Sequence, residues 1–279
     1  MGAVGKRWWL GGSAVATALL ASALVAAGCG SSTHTETGSA SSTGGIGGQE
    51  LKSLPRAPAP TGTAPSPAPG ATTVDRSFLE TSFNDAQRFW DQQFRAAGLS
   101  YSPARLVLWS SQVHSACGSR ENVGPFYCSA DRTIYLDLGF FDLLARHARL
   151  GGFAQAYVIG HEFGHHVQHL LGIDRRVAAA NEANPGGKNA RSVRLELQAD
   201  CLAGVWAHSQ YSRAELSLSD VEEKLRLAAL IGDDFQARAA GKPIDAGLFT
   251  HGSSAQRQRW LKTGFESGDP GACDTFSGE

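Results

Sequence analysis

The chain has 279 residues, enough for one ordinary domain with sequence to spare at an end, and 25 Lys and Arg against 26 Asp and Glu give a net charge of −1. Near neutrality without a basic stripe argues against nucleic acid as a partner. The hydrophobic content of 42% is ordinary, so its distribution along the chain carries the information.

Lys6 and Arg7 form a short basic start, and Trp8 to Ala27 contains no charge. Small residues follow, with Cys29 directly after Ala26, Ala27 and Gly28. This is the layout of a secretory signal. Its ending, Val25-Ala26-Ala27-Gly28-Cys29, resembles the lipobox of bacterial lipoproteins, although a larger aliphatic residue is more usual where Ala26 stands. The resemblance implies cleavage after Gly28, lipid on Cys29 and a location outside the cytoplasmic membrane. The apolar run is also long enough to remain as an uncleaved anchor, which would leave the rest of the chain on the same side.

Residues 30–73 are dominated by Ser, Thr, Gly, Ala and Pro, contain no aromatic residue and hold six of the eleven prolines. Such a segment buries too little apolar surface to offset its ordering entropy, so residues 29–73 are expected to be a disordered tether. As a flexible coil it would span roughly 35–40 Å on average. The folded domain is expected over residues 74–279.

Within it, Asp75 to Ala97 reads as an amphipathic helix, with Phe78, Leu79, Phe83, Phe89, Trp90 and Phe94 at helical spacing and Gly98 as its stop. Arg105 to Trp109 reads as a strand. Phe126 to Leu138 reads as a hairpin turning at Ser129-Ala130-Asp131-Arg132, and its second arm alternates as a half-buried strand should. Helices are predicted over Phe140–Leu150, Phe153–Leu171, Ala190–Ser209, Ser219–Ile231 and Ser253–Phe265, with a loop through Asn184-Pro185-Gly186-Gly187. A small sheet followed by a mostly helical body is an α+β arrangement. Setting Cys29 aside leaves Cys117, Cys128, Cys201 and Cys273, which suits an oxidising compartment. Three pairings are open. Joining Cys117 to Cys128 would close a short loop, and joining Cys201 to Cys273 would pin the tail.

His161-Glu162-Phe163-Gly164-His165 lies inside a predicted helix. Residues four apart share a helix face, roughly 6 Å apart along the axis, so two imidazoles there can converge on one metal ion. Glu162 is turned aside from that face and can reach a water on the metal, as in zinc peptidases with the H-E-x-x-H motif. A catalytic zinc needs a third protein ligand. His166 points off the shared face, and His169 is two turns from His161, so both read as surface or packing residues. Glu196 and Asp200 are again four apart, on an otherwise apolar helix. Two carboxylates facing a core are costly unless a cation and hydrogen bonds compensate them. Zinc on Glu196 and an imidazole N–H on Asp200 would do both; an exposed pair matched to Arg191 and Arg194 is the plainer alternative.

His161-Glu162-x-x-His165 followed by Glu196-x-x-x-Asp200 resembles the gluzincin arrangement. The domain further resembles the bacterial "putative neutral zinc metallopeptidase" family, through Gly124-Pro125-Phe126-Tyr127-Cys128, Ile134-Tyr135-Leu136-Asp137, Tyr157 to Gln168, Glu196 to Cys201, Thr250-His251-Gly252-Ser253 and Gly268-Asp269-Pro270 with Cys273. The resemblance implies a zincin-like fold, Zn2+ on His161, His165 and Glu196, and Asp200 behind His161. It also implies Glu162 as the base and a peptide or protein substrate. Thr250-His251-Gly252-Ser253, with Arg257 beyond it, resembles a motif of membrane-associated gluzincins, which makes His251 the candidate oxyanion stabiliser and Tyr135 a weaker one. Zincins usually bind peptide along an edge strand, the place expected here for Thr133–Leu138 with Ile134, Tyr135 and Leu136. Ile231-Gly232-Asp233-Asp234 also resembles the family, while Asp233 and Asp234 by themselves mark only a helix end. Two rival functions remain: an amidase acting on cell-wall peptides, and a zinc-stabilised surface lipoprotein that binds without turnover.

Overall fold

A computed structural model describes residues 46–60, 75–121, 124–143 and 152–277. The predicted signal segment, Cys29 and the tether over residues 30–45 and 61–73 lie outside them, as do residues 144–150 of the helix expected to end at Leu150. Among the described residues, no helix is long and apolar enough to cross a membrane.

The body is α+β. Helix α2 (Arg76–Ala96) starts at Asp75, whose side chain accepts from the Ser77 and Phe78 N–H groups, and buries Leu79, Phe83, Ala86, Trp90 and Phe94 on one face. A three-stranded sheet follows, built from β1 (Arg105–Trp109), β4 (Phe126–Cys128) and β5 (Thr133–Asp137). Strands β2 (Gln112–Ser115) and β3 (Gly118–Glu121) form a separate hairpin that the sequence pattern did not reveal. The predicted β4–β5 hairpin is present, but β5 is the central strand: it pairs parallel with β1 and antiparallel with β4. All five of its residues are buried rather than alternating. Ile134 and Tyr135 therefore cannot receive a peptide as an added strand, because both edges of β5 are paired there, while Leu136 is paired with β1 on one edge. Among the described residues, the outer edge of the sheet on the side away from β1 belongs to β4. The disulfide Cys117–Cys128 ties the β2–β3 turn to the end of that strand.

Short α3 (Leu138–Leu143) leads to α4 (Gly152–Leu170), which runs through the centre of the molecule. Two helices not predicted from the sequence, α5 (Ile173–Ala183) and α8 (Asp233–Ala239), are short and carry little apolar surface. The long α6 (Lys188–Ser212) is buried without interruption from Glu196 to Gln210, between α4 on one side and α9 (Ser254–Ser267) on the other. Helix α7 (Leu218–Leu230) begins at a Ser217–Asp220 capping box and packs against α4 and α9.

Glycine sets the spacing of these helices. A Cβ on Gly164 would lie 2.7 Å from Ala199 Cα, and one on Gly264 would lie within bonding range of the Cys201 carbonyl. The α4 backbone therefore approaches α6 more closely than any side chain would permit. Replacing Gly164 by Val is expected to force the two helices apart, costing about 1–3 kcal/mol and the metal affinity with it. Urea unfolding and metal titration of that variant check this.

The predicted tether departs from expectation over residues 46–60. These form α1 (Gly48–Ser53) and an extended strap docked on the body. Leu51, Leu54 and Ala57 are buried in the main core. The strap is latched by Ala57 N–H to Gly268 O (2.7 Å), Ser212 Oγ to Pro58 O (2.6 Å), Arg56 to Asp269 (3.1 Å) and Arg176 to Glu50 (3.0 Å). Three apolar anchors and these polar contacts offset the ordering entropy that its composition suggested would win.

Candidate metal centre

The close approach of α4 and α6 brings His161 and His165 opposite Glu196. His161 Nε2 lies 3.1 Å from Glu196 Oε2, His165 Nε2 lies 3.5 Å from Glu196 Oε1, and the two Nε2 atoms are 3.2 Å apart. Among the described residues, these three form the one group of His, Cys, Asp or Glu able to hold a metal ion. Donors about 2.0–2.1 Å from a tetrahedral ion stand about 3.3 Å from one another, which matches this spacing.

The hydrogen bonds behind the two imidazoles decide what can sit between them. His161 Nδ1 faces Asp200 Oδ1 at 2.8 Å, and His165 Nδ1 faces Gln168 Oε1 at 2.9 Å. Both partners are acceptors, so both Nδ1 atoms carry the proton and both Nε2 atoms present lone pairs. Two lone pairs and a carboxylate then converge on one buried point, where only something electropositive is tolerable. A divalent ion fits. A proton is its substitute: burial alone would lower the His161 pKa, but hydrogen bonds to Asp200 and Glu196, with their charges, outweigh it and raise it to about 10. His165 is likewise raised against its burial, chiefly by Glu196. Burial pushes Glu196 up, yet the His165 charge and the two imidazole hydrogen bonds bring it well below the usual carboxylate range.

Metal and proton therefore compete. Binding must release the His161 proton below about pH 10, so affinity is expected to rise up to about tenfold per pH unit towards that value. Calorimetric titration in buffers of different ionisation enthalpy would count the released protons; no release at neutral pH would contradict the proton-for-metal exchange.

Asp200 is fully buried and saturated. Besides His161 it accepts from Tyr157 Oη (2.5 Å), Arg257 Nε (2.8 Å) and Arg257 Nη2 (2.9 Å). Burial raises its pKa, but the Arg257 charge and the His161 bond hold it at about 2. Glu162 is buried, lies outside the donor group and sits near the main chain of Tyr127 on β4. Its burial raises its pKa against the opposing His161 and His165 charges. A carboxylate of raised pKa beside a metal point suits a proton acceptor.

His251 lies on the loop before α9, near enough for its charge to act on Glu196. Gly252 behind it packs on Val193 and Leu197 of α6, with φ of +93°. Asp233 organises this loop. Its carboxylate accepts from the main-chain N–H groups of Thr250 (2.8 Å), His251 (2.7 Å) and Gly252 (3.0 Å), and from His251 Nδ1 (3.2 Å). Asp234 accepts from Ser254 N–H and Oγ, both at 2.7 Å. The pair thus does more than mark a helix end. Tyr135, in contrast, donates to Asp131 (2.9 Å) and stacks on Phe126 in a small separate cluster, which removes it as an oxyanion candidate.

His166 is buried: its Nε2 donates to Ser102 O and its Nδ1 accepts from Tyr127 Oη, both at 2.9 Å. His169 faces Asp174 at 2.7 Å. Neither joins the donor group. The parts played by Tyr157, Gln168 and Asp233 do not follow from the motifs, and Arg257 enters the sequence only as part of one. Tyr157, His161, His165 and Gln168 form an i, i+4, i+8, i+11 stripe, so the first two were visible on the helix face.

A model of the family described as "Putative neutral zinc metallopeptidase" matches residues 18–276. The chain is similar to the protein of Escherichia coli K12 described as uncharacterized protein YpfJ, with 47% identity over 191 residues. That stretch is 67% of this chain and 66% of the relative, just under two thirds of its length. It is also similar to uncharacterized protein Rv2575 of Mycobacterium tuberculosis H37Rv, with 39% identity over 218 residues, 69% of this chain and 73% of that one. No solved structure matches.

Proposed function

The chain belongs to the family described as "Putative neutral zinc metallopeptidase", and from that membership we propose that it hydrolyses peptide bonds at a zinc ion held by His161, His165 and Glu196. The observation that carries this reading is the convergence of two fixed imidazole lone pairs and one carboxylate, with Glu162 left out of the donor set. A metal that only stabilised the fold would need no such bystander base.

Bound there, zinc supplies electrophilic polarisation and a water of pKa about 7. Glu162 takes the proton of the attacking water and passes it to the leaving amine nitrogen. Asp200 holds the His161 ring through Nδ1, and Arg257 and Tyr157 hold Asp200. Asp233, by accepting from His251 Nδ1 and from the loop main chain, positions His251 as the stabiliser of the developing oxyanion. The open edge of β4, next to Glu162, is where an extended peptide can add by main-chain hydrogen bonds.

The signal-like start and Cys29 support a lipid-anchored location outside the cytoplasmic membrane, and the two disulfides suit an oxidising compartment. Stripping metal with a chelator is expected to abolish cleavage of a peptide library, and one equivalent of zinc per chain to restore it. A protein that takes up zinc yet leaves every peptide and cell-wall amide intact would instead be the non-catalytic binding module.

A further inference from the structure

His165 is fixed from behind by a hydrogen-bonded relay that leaves α4, crosses α6 and ends at the C-terminal turn. His165 Nδ1–H donates to Gln168 Oε1 at 2.9 Å. The Gln168 amide nitrogen donates to Leu195 O at 2.8 Å and to Gln198 Oε1 at 3.1 Å. The Gln198 amide nitrogen donates to the main-chain carbonyl of Cys273 at 3.1 Å. Every donor points the same way. Main-chain carbonyls can only accept, so both carboxamide orientations are determined, and with them the tautomer of His165. Gln168 and Gln198 are 1% and 0% exposed, so no solvent can replace a missing partner.

The last acceptor has its own support. Cys273 is bonded to Cys201, the residue after Asp200 on α6, and both cysteines are fully buried. The disulfide therefore holds the Cys273 carbonyl against the helix that also carries Glu196. We propose that Gln168 and Gln198 are positioning residues for the metal ligand His165, and that the Cys201–Cys273 disulfide sets metal affinity by anchoring the far end of their relay. The metal site would then reach full affinity only after export and oxidation. This rests on the His161–His165–Glu196 metal site, but not on the hydrolysis assigned to it.

The test is competition of the full chain with a chromophoric chelator for Zn2+, together with the absorption spectrum of the Co2+ form. Gln198→Leu cuts the relay in the middle without touching a ligand. Gln198→Met removes both polar groups with a side chain of nearly the same length, and it serves if the leucine variant does not fold. The disulfide is removed in the intact protein by the paired Cys201→Ser, Cys273→Ser variant. Weakening of zinc affinity by about 10–100-fold in each case, with an altered Co2+ spectrum and an intact circular dichroism spectrum, is the expected result. Wild-type affinity in a folded Gln198 variant, or in the folded disulfide-free protein, overturns the proposal. A chain that binds no zinc before any change would refute the metal site itself, which keeps the two failures apart.

Discussion

Replacing Glu162 by glutamine is expected to leave zinc content unchanged and to lower peptide hydrolysis by about 10²–10⁴-fold, the usual contribution of a general base. The two halves of that expectation come from separate observations. Zinc should stay because Glu162 is not among the converging donors, and the amide keeps the shape of the carboxylate. Rate should fall because an amide cannot take a proton from water. The pH profile has a definite sign as well. Burial raises the Glu162 pKa, so activity needs the ionised form and is lost as pH falls through that raised value. Metal analysis beside steady-state kinetics decides it: undiminished hydrolysis would remove Glu162 from the mechanism, and loss of zinc would show that it serves the site structurally.

Replacing Arg257 by methionine is expected to destabilise the metal-free protein by about 3–5 kcal/mol, the range for breaking a buried ion pair by removing one partner. Arg257 is 2% exposed and Asp200 fully buried, and the guanidinium meets the carboxylate through two hydrogen bonds. Without it, Asp200 keeps only Tyr157 and His161 as donors. A double-mutant cycle with Asp200→Asn separates this from lost packing. The double variant should be less destabilised than the sum of the singles, since neither charge is then left alone. Additive losses in urea unfolding would mean that the two side chains act independently.

The donor set was legible because its signal is local. His161 with His165 and Glu196 with Asp200 each sit four apart within a helix, and helical spacing alone puts each pair on one face. That the two helices meet was a matter of chemistry, since a buried pair of acids needs a partner. What escaped notice depends on contacts distant in sequence. Whether a strand such as Thr133–Asp137 is central or at an edge is decided by Arg105–Trp109, which pairs with it across the β2–β3 hairpin. Asp233 acts on main-chain N–H groups of Thr250, His251 and Gly252, which leave no mark in side-chain type. The strap was hidden by its composition, because Leu51 and Leu54 are too few to form a periodic pattern yet enough to fill a waiting hollow.

The docked strap also shortens the leash. With lipid on Cys29, a free chain up to Asp75 could let the domain wander about 150 Å from the bilayer, whereas attachment at Ile46 limits the arm to about 60 Å even at full stretch. If lipid on Cys29 holds the chain as we propose, the domain would reach only what comes close to that membrane. Freeing the strap by exchanging Leu51 and Leu54 for serine would widen that patrol.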